Sequence, residues 1–201
     1  MVDEALFEQL KHPNPNLQQR AMWEIAENRD EKTIPRLMAN LESENMSYRR
    51  ASVKALGVIG HDAVPALVDS LLNSNNSTIR ASCTKALAQV AVNYPEEAFP
   101  TLGMEGLMKA LQDQDAVVHI AAAMALGAIG SQAFDILAEA LESTDNLAVA
   151  VAIINAIGSM GDERGLEILT NLAENESADA YIQESAKSGL SRLEMVINYK
   201  K

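Results

Sequence analysis

Apolar residues recur at helical spacing along the whole chain, and one short arrangement of them returns at intervals. Thr33-Ile34-Pro35-Arg36-Leu37, running on to Leu41, leads into Tyr48-Arg49-Arg50-Ala51 and Ala55-Leu56-Gly57-Val58-Ile59-Gly60. Ala63-Val64-Pro65-Ala66-Leu67, running to Leu71, leads in the same way into Ile79-Arg80-Ala81 and Ala86-Leu87. The frame returns from Gly106-Leu107 to Leu111 with Val118-His119-Ile120-Ala121 and Ala125-Leu126-Gly127-Ala128-Ile129-Gly130, and again as Asn155-Ala156-Ile157-Gly158-Ser159-Met160-Gly161. With the residue before the internal glycine as marker, the steps from Leu56 to Leu87, Leu126 and Ile157 are 31, 39 and 31 positions. A repeat of this period is one supersecondary unit that buries its apolar face only by stacking on its neighbours.

Each unit predicts two antiparallel helices, so the chain reads as an all-α solenoid of about six helical hairpins, a curved right-handed superhelix forming a single domain over 1–201. Weak copies at Arg20-Ala21 with Ile25-Ala26, and at Ser188-Gly189-Leu190, mark capping repeats near 5–30 and 163–197. Polar runs at Asn75-Asn76-Ser77, Asp113-Gln114-Asp115 and Thr144-Asp145-Asn146 predict helix starts, because their short side chains accept from the free amides of a first turn. Gly60, Gly130 and Gly161 fall where second helices should end and suit a left-handed cap. Gly57, Gly127 and Gly158 lie one turn earlier, inside the helix, where each costs about 1 kcal/mol against alanine; close approach of adjacent helices is the simplest reason to keep them. The longer unit carries about eight extra residues, Asn93-Tyr94-Pro95-Glu96-Glu97-Ala98-Phe99-Pro100, an insertion near 93–105 that its prolines make a loop or broken helix. It reads either as a tolerated surface loop or as the edge of a contact site.

Composition agrees with helices. Hydrophobic residues form 48% of the chain and aromatics only 4%, and 28 acidic against 16 basic residues give a net charge of −12, which disfavours nucleic acid and anionic lipid as partners. Neither a basic leader followed by an apolar run nor an unbroken apolar segment of membrane-spanning length stands out, so neither a targeting signal nor membrane insertion is expected. A single cysteine, Cys83, allows no intrachain disulfide and suits a cytoplasmic setting.

Standard catalytic signatures are missing, and the histidines His12, His61 and His119 are too scattered to suggest a metal site. Seven positions before the marker, however, stand Arg49, Arg80 and His119, with Ala150 in the next unit. Such a basic row is either a ladder of structural hydrogen bonds to the preceding turns at Ser43, Ser74 and Asp113, or an anion site, since guanidinium presents a planar fork to carboxylates. Cys83, whose repeat equivalents are Ser52 and Ala122, reads as a packed, inert thiol ahead of a nucleophile or transient carrier, since no adjacent His or second Cys stands by to activate it. Trp23 and Tyr48 are the two candidates to stack on a flat ligand; Trp23 reads as core packing ahead of that role, and Tyr48, at a helix start beside Arg49, as either core or platform.

The runs at 34–38, 48–60 and 117–130 resemble the HEAT repeats of the phycobilisome lyases. Lys11-His12-Pro13-Asn14-Pro15-Asn16 with Arg20-Ala21-Met22-Trp23-Glu24-Ile25-Ala26-Glu27, and Tyr181-Ile182-Gln183-Glu184-Ser185-Ala186, are similar to the small, CpcF-type subunits of heterodimeric phycocyanobilin lyases. That resemblance implies a carbon–sulfur lyase subunit, active only with a larger HEAT-repeat (CpcE-type) partner. Its substrates would be phycocyanobilin and a cysteine of the apo-phycocyanin alpha subunit, it would need no cofactor, and it would work in the cytoplasm, peripheral to phycobilisomes on the thylakoid surface. Arg49 and Arg80 would then clamp propionates, Tyr48 would stack on a pyrrole and His119 would deliver a proton. The same repeats also occur in adaptors and phycobilisome-degradation factors, which leaves a non-enzymatic reading open. The adjacent His-Cys pair of the related isomerising lyases is missing, so isomerisation is not expected.

Overall fold

A computed structural model describes residues 3–200. Met1 and Val2, at the start read above for a leader, and Lys201 lie outside the described residues. Twelve α-helices occur among the described residues, with no strand: α1 Glu4–Gln9, α2 Pro15–Glu27, α3 Thr33–Ala39, α4 Met46–Ile59, α5 Val64–Asn73, α6 Ser77–Asn93, α7 Thr101–Ala110, α8 Ala116–Ile129, α9 Phe134–Ser143, α10 Leu147–Met160, α11 Gly165–Glu174 and α12 Ala180–Lys200. Taken in order a shorter helix alternates with a longer one six times, and α1 packs on α2, α3 on α4, α5 on α6, α9 on α10 and α11 on α12. The weak end copies are such pairs as well, α1 with α2 and α11 with α12.

Second helices begin on one device. Asn14, Asn45, Asn76, Asp115 and Asn146 each accept from a backbone N–H of the first turn. Two residues earlier, Ser43, Ser74, Asp113 and Thr144 in turn accept from the N–H of the capping residue. The polar runs that break the hydrophobic period thus set both the stop of one helix and the start of the next.

The chain divides into two compact units, Met1–Gly106 and Leu107–Lys201. In the first, Leu37, Leu41, Leu56, Leu67, Leu71 and Leu87 are essentially fully buried. Here α4 packs on α6 so closely that a Cβ at Gly57 would collide with Gln89, which is the close approach expected of the internal glycines. The second unit repeats it: a Cβ at Gly127 would meet Ala156, and one at Gly158 would lie 2.8 Å from the Gly189 backbone.

Gly161 ends α10 in the left-handed region, φ 72° and ψ 30°. Gly60 and Gly130 differ from that expectation: with φ 81°, ψ −141° and φ 80°, ψ −145° they are extended at positive φ, a region essentially restricted to glycine, and each opens a 3-10 turn into the next helix. These turns also correct the expectation about apolar length. Met46–Asn73 and Ala116–Ser143 are long and apolar enough by composition to cross a membrane, yet each is two helices joined through such a glycine, with 61% and 50% of the apolar window buried inside the protein.

Of the insertion near 93–105, only residues 94–100 are non-helical, since α6 runs to Asn93 and α7 begins at Thr101; these seven residues pack against the Gly60 turn of the first unit. The Tyr94 hydroxyl donates to the Val58 carbonyl at 2.6 Å, Phe99 is buried, and His61 lies between the two rings with Nδ1 3.3 Å from a Glu97 carboxylate oxygen. In the second unit, Arg164 ties the α9 and α11 starts together. Its Nη2 donates to Asp162 at 2.7 Å, its Nη1 to Asp135 at 2.9 Å, and its guanidinium lies 4.2 Å from the Phe134 ring centre.

Candidate functional site

The basic row stands in the first turns of the second helices α4, α6 and α8, and its side chains reach back to the loops that precede them. Arg49 Nη1 donates to the Ser43 carbonyl at 2.6 Å and Arg80 Nη1 to the Ser74 carbonyl at 3.0 Å. His119 Nδ1 stands 3.1 Å from the Asp113 carbonyl and must carry the proton there, because a carbonyl only accepts. Each reaches back six residues to a carbonyl just past the end of a first helix, where backbone acceptors lack intrahelical partners. Ala150 has no side chain to do this. The row therefore closes three successive turns, two of them through charge-assisted guanidinium bonds, which hold a loop strongly.

Tyr48, Arg49 and Arg80 share the first unit, on the packed pair α4 and α6; His119 is on α8 in the second. Tyr48 is only 9% exposed, and the Lys11 ammonium covers its ring at 4.9 Å. His119 is buried, its Nε2 has no hydrogen-bond partner, and it helps line an open cleft of about 760 Å³ with Lys109, Asp113, Glu139 and Asn146. Cys83 is fully buried, and burial pushes its thiol up to about 12, so it is an inert neutral thiol at neutral pH. Among the described residues no three His, Cys, Asp or Glu side chains gather as a metal ion would require.

Trp23 corrects the expectation of core packing, since it is 48% exposed. Its repeat equivalents Val53, Thr84, Ala123 and Ile154 are buried in the seams between neighbouring second helices. Those seams close over small and β-branched side chains, and an indole at the first seam is left at the surface.

A second feature escapes motif reading because it is an absence. Helices α4 and α6 carry Arg49, Arg50, Lys54, Arg80 and Lys85 and not one carboxylate, in a chain with 28 acidic residues. With Arg49 and Arg80 turned to the loops, Arg50, Lys54 and Lys85 are exposed, and no hydrogen bond or ion pair holds their side chains among the described residues. The signal available in the sequence was the missing Asp and Glu across two consecutive second helices.

Comparison with known proteins places these features. A family model described as HEAT repeats matches residues 4–88 and 104–191. The chain is 51% identical over 201 residues to the uncharacterized phycocyanin operon protein Z of Pseudanabaena tenuis (strain PCC 7409), covering all of both chains. It is 31% identical over 174 residues to the bilin biosynthesis protein CpeZ of Synechococcus sp. (strain WH8020), covering 84% of this chain and 93% of that one. Among solved structures it shares its fold with the complex of CpcE and CpcF of phycocyanin lyase from Nostoc sp. PCC7120, at a TM-score of 0.50 and 22% identity over 77% of this chain and 99% of that one. This protein belongs to the HEAT-repeat family and, within it, to the group that holds phycocyanin operon protein Z and bilin biosynthesis protein CpeZ.

Proposed function

We propose that this chain is a HEAT-repeat subunit of the machinery that attaches bilins to phycobiliproteins, acting with a second HEAT-repeat subunit. The observation that carries the reading is the 31% identity, over 84% of this chain and 93% of the other, to a protein named for bilin biosynthesis. The 51% identity to a protein named for a phycocyanin operon supports the finer form, in which phycocyanobilin is joined to a cysteine of the phycocyanin alpha subunit by a CpcF-like lyase subunit. The cytoplasmic edge of the phycobilisome is the proposed place of action.

In that reaction the acceptor's thiol adds across the pigment's exocyclic ethylidene double bond. Sulfur bonds to carbon, and the proton passes to the neighbouring ring carbon. Cys83, buried and held neutral, supports leaving the nucleophile on the acceptor. The task left to this subunit is to hold a flexible pigment in one conformation at the partner surface, where orientation rather than covalent chemistry lowers the barrier. The same burial favours a second reading, a non-enzymatic adaptor that carries the pigment or the apoprotein without promoting the bond.

Co-expression of the chain with a larger HEAT-repeat partner, apo-phycocyanin alpha and a source of phycocyanobilin separates the two. A covalent adduct that needs both HEAT chains is expected. No adduct above the pigment-alone background contradicts the lyase reading, and an adduct formed equally well by the partner alone favours the adaptor.

A further inference from the structure

We propose that the outward side of α2, α4 and α6 is the surface on which this chain holds a bilin. Trp23 stacks on the conjugated plane there, and Arg50, Lys54 and Lys85 take the carboxylates. The proposal rests on the bilin reading above and names the residues that serve it.

Charge comes first. In a protein of net charge −12, an anion meets repulsion over most of the surface. The pair α4 and α6 is an exception, bearing cations and no carboxylate. Arg49 and Arg80 close the loops through the Ser43 and Ser74 carbonyls, which leaves Arg50, Lys54 and Lys85 as the exposed charges. Lys54 and Lys85 are repeat equivalents on helices in contact, so their stems are set roughly 8–10 Å apart, the usual interaxial distance. Arg50 stands one turn before Lys54, about 5–6 Å away between Cβ atoms. Two carboxylates of one small molecule can be met by any two of these three groups.

The second observation is the exposed indole. Trp23 is the protein's single tryptophan and is 48% exposed. Gly57 of one repeat meets Gln89 of the next. Moving that register back one repeat and one turn pairs Trp23 with Lys54. A flat apolar face thus borders the cationic cluster at the α2 and α4 seam. Arg20, on the same helix, is paired with Glu24 at 2.7 Å and adds no free charge. Lysines alone would suit an acidic protein as well; an exposed indole beside them selects a planar conjugated anion, since stacking needs a ring.

The position of Trp23 supplies the test. Titrating the full chain with phycocyanobilin as free acid, and separately as its dimethyl ester, should quench the single tryptophan saturably with the acid and about tenfold more weakly with the ester. The charge reversal R50E/K54E/K85E should weaken the acid by about the same factor and leave the ester unchanged. Melting curves check that it folds; R50Q/K54Q/K85Q replaces it where it does not. Trp23→Phe should weaken binding, read by the induced circular dichroism of the pigment. Equal affinities for acid and ester, or a folded triple variant that binds like the wild type, overturn the proposal. Loss of the HEAT partner by the triple variant with unchanged pigment affinity also overturns it, and assigns the face to a protein. Absence of pigment binding by this chain, with attachment in the reconstituted system intact, overturns this site and leaves the bilin reading standing.

Discussion

Asp162 shows how much one well-placed cation governs a local structure. Arg164 donates to it from Nε and Nη2, and that hydrogen-bonded guanidinium holds the carboxyl down to about 2. A carboxyl depressed by folding stabilises the protein above its unfolded value and loses that contribution as pH falls through its folded value. Asp162→Asn should therefore be less stable than the wild type at pH 7, with the gap closing between about pH 4 and pH 2 as measured by denaturant midpoints at each pH. A gap independent of pH over that window would mean the ion pair contributes nothing. Single residues were also where sequence reading fared worst. Period identifies which side chains share a register, but depth depends on what covers them. Trp23 was expected in the core and is left at the surface, while Tyr48, open between core and platform, is buried and covered by Lys11 from a neighbouring hairpin. The basic row was legible as a row and its loop partners could be named, since both follow from fixed spacing. Burial of His119, with Nε2 left unpartnered, was not legible.

Helices and their joints were far more readable, because repetition tests each inference several times. Caps at Asn76, Asp115 and Asn146 fall within the polar runs that predicted them. The internal glycines sit where neighbouring helices nearly touch. Turn conformation was the less visible part: a glycine after a helix signals positive φ, while ψ is set by the 3-10 turn that follows. Gly60 and Gly130 share that conformation and differ in surroundings, which makes them a matched pair. A Cβ at Gly130 meets nothing within 4 Å, whereas one at Gly60 comes within 2.6 Å of the Tyr94 ring. Gly130→Ala should cost about 1–3 kcal/mol, the backbone strain alone. Gly60→Ala should cost about 1 kcal/mol or more beyond that, because the ring and its hydrogen bond to Val58 must move. Equal losses in equilibrium unfolding would show that the insertion does not brace this turn.

In the four middle repeats, charge is sorted by helix type. The second helices α4 and α6 carry cations without carboxylates, and α8 and α10 contain no Asp, Glu, Lys or Arg. Most acidic side chains fall on first helices, turns and the terminal pairs. In the second unit the outward positions of α8 and α10 include Val117, Met124 and Leu147, each more than 40% exposed. Helical repeats that only had to stay soluble would spread charge over both helix types, so within each unit taken by itself binding is expected on the second helices. This sorting was present in the sequence but became readable only once first and second helices were told apart. It also fits a subunit whose role is to hold and present, with the reacting thiol on the acceptor. Intact-mass spectrometry of the acceptor subunit tests that division of labour most directly, in reconstitutions made with the wild-type chain and with Cys83→Ala. One bilin added to one acceptor cysteine is expected in both. An acceptor left unmodified by the wild type, or by a folded Cys83→Ala chain alone, would contradict it.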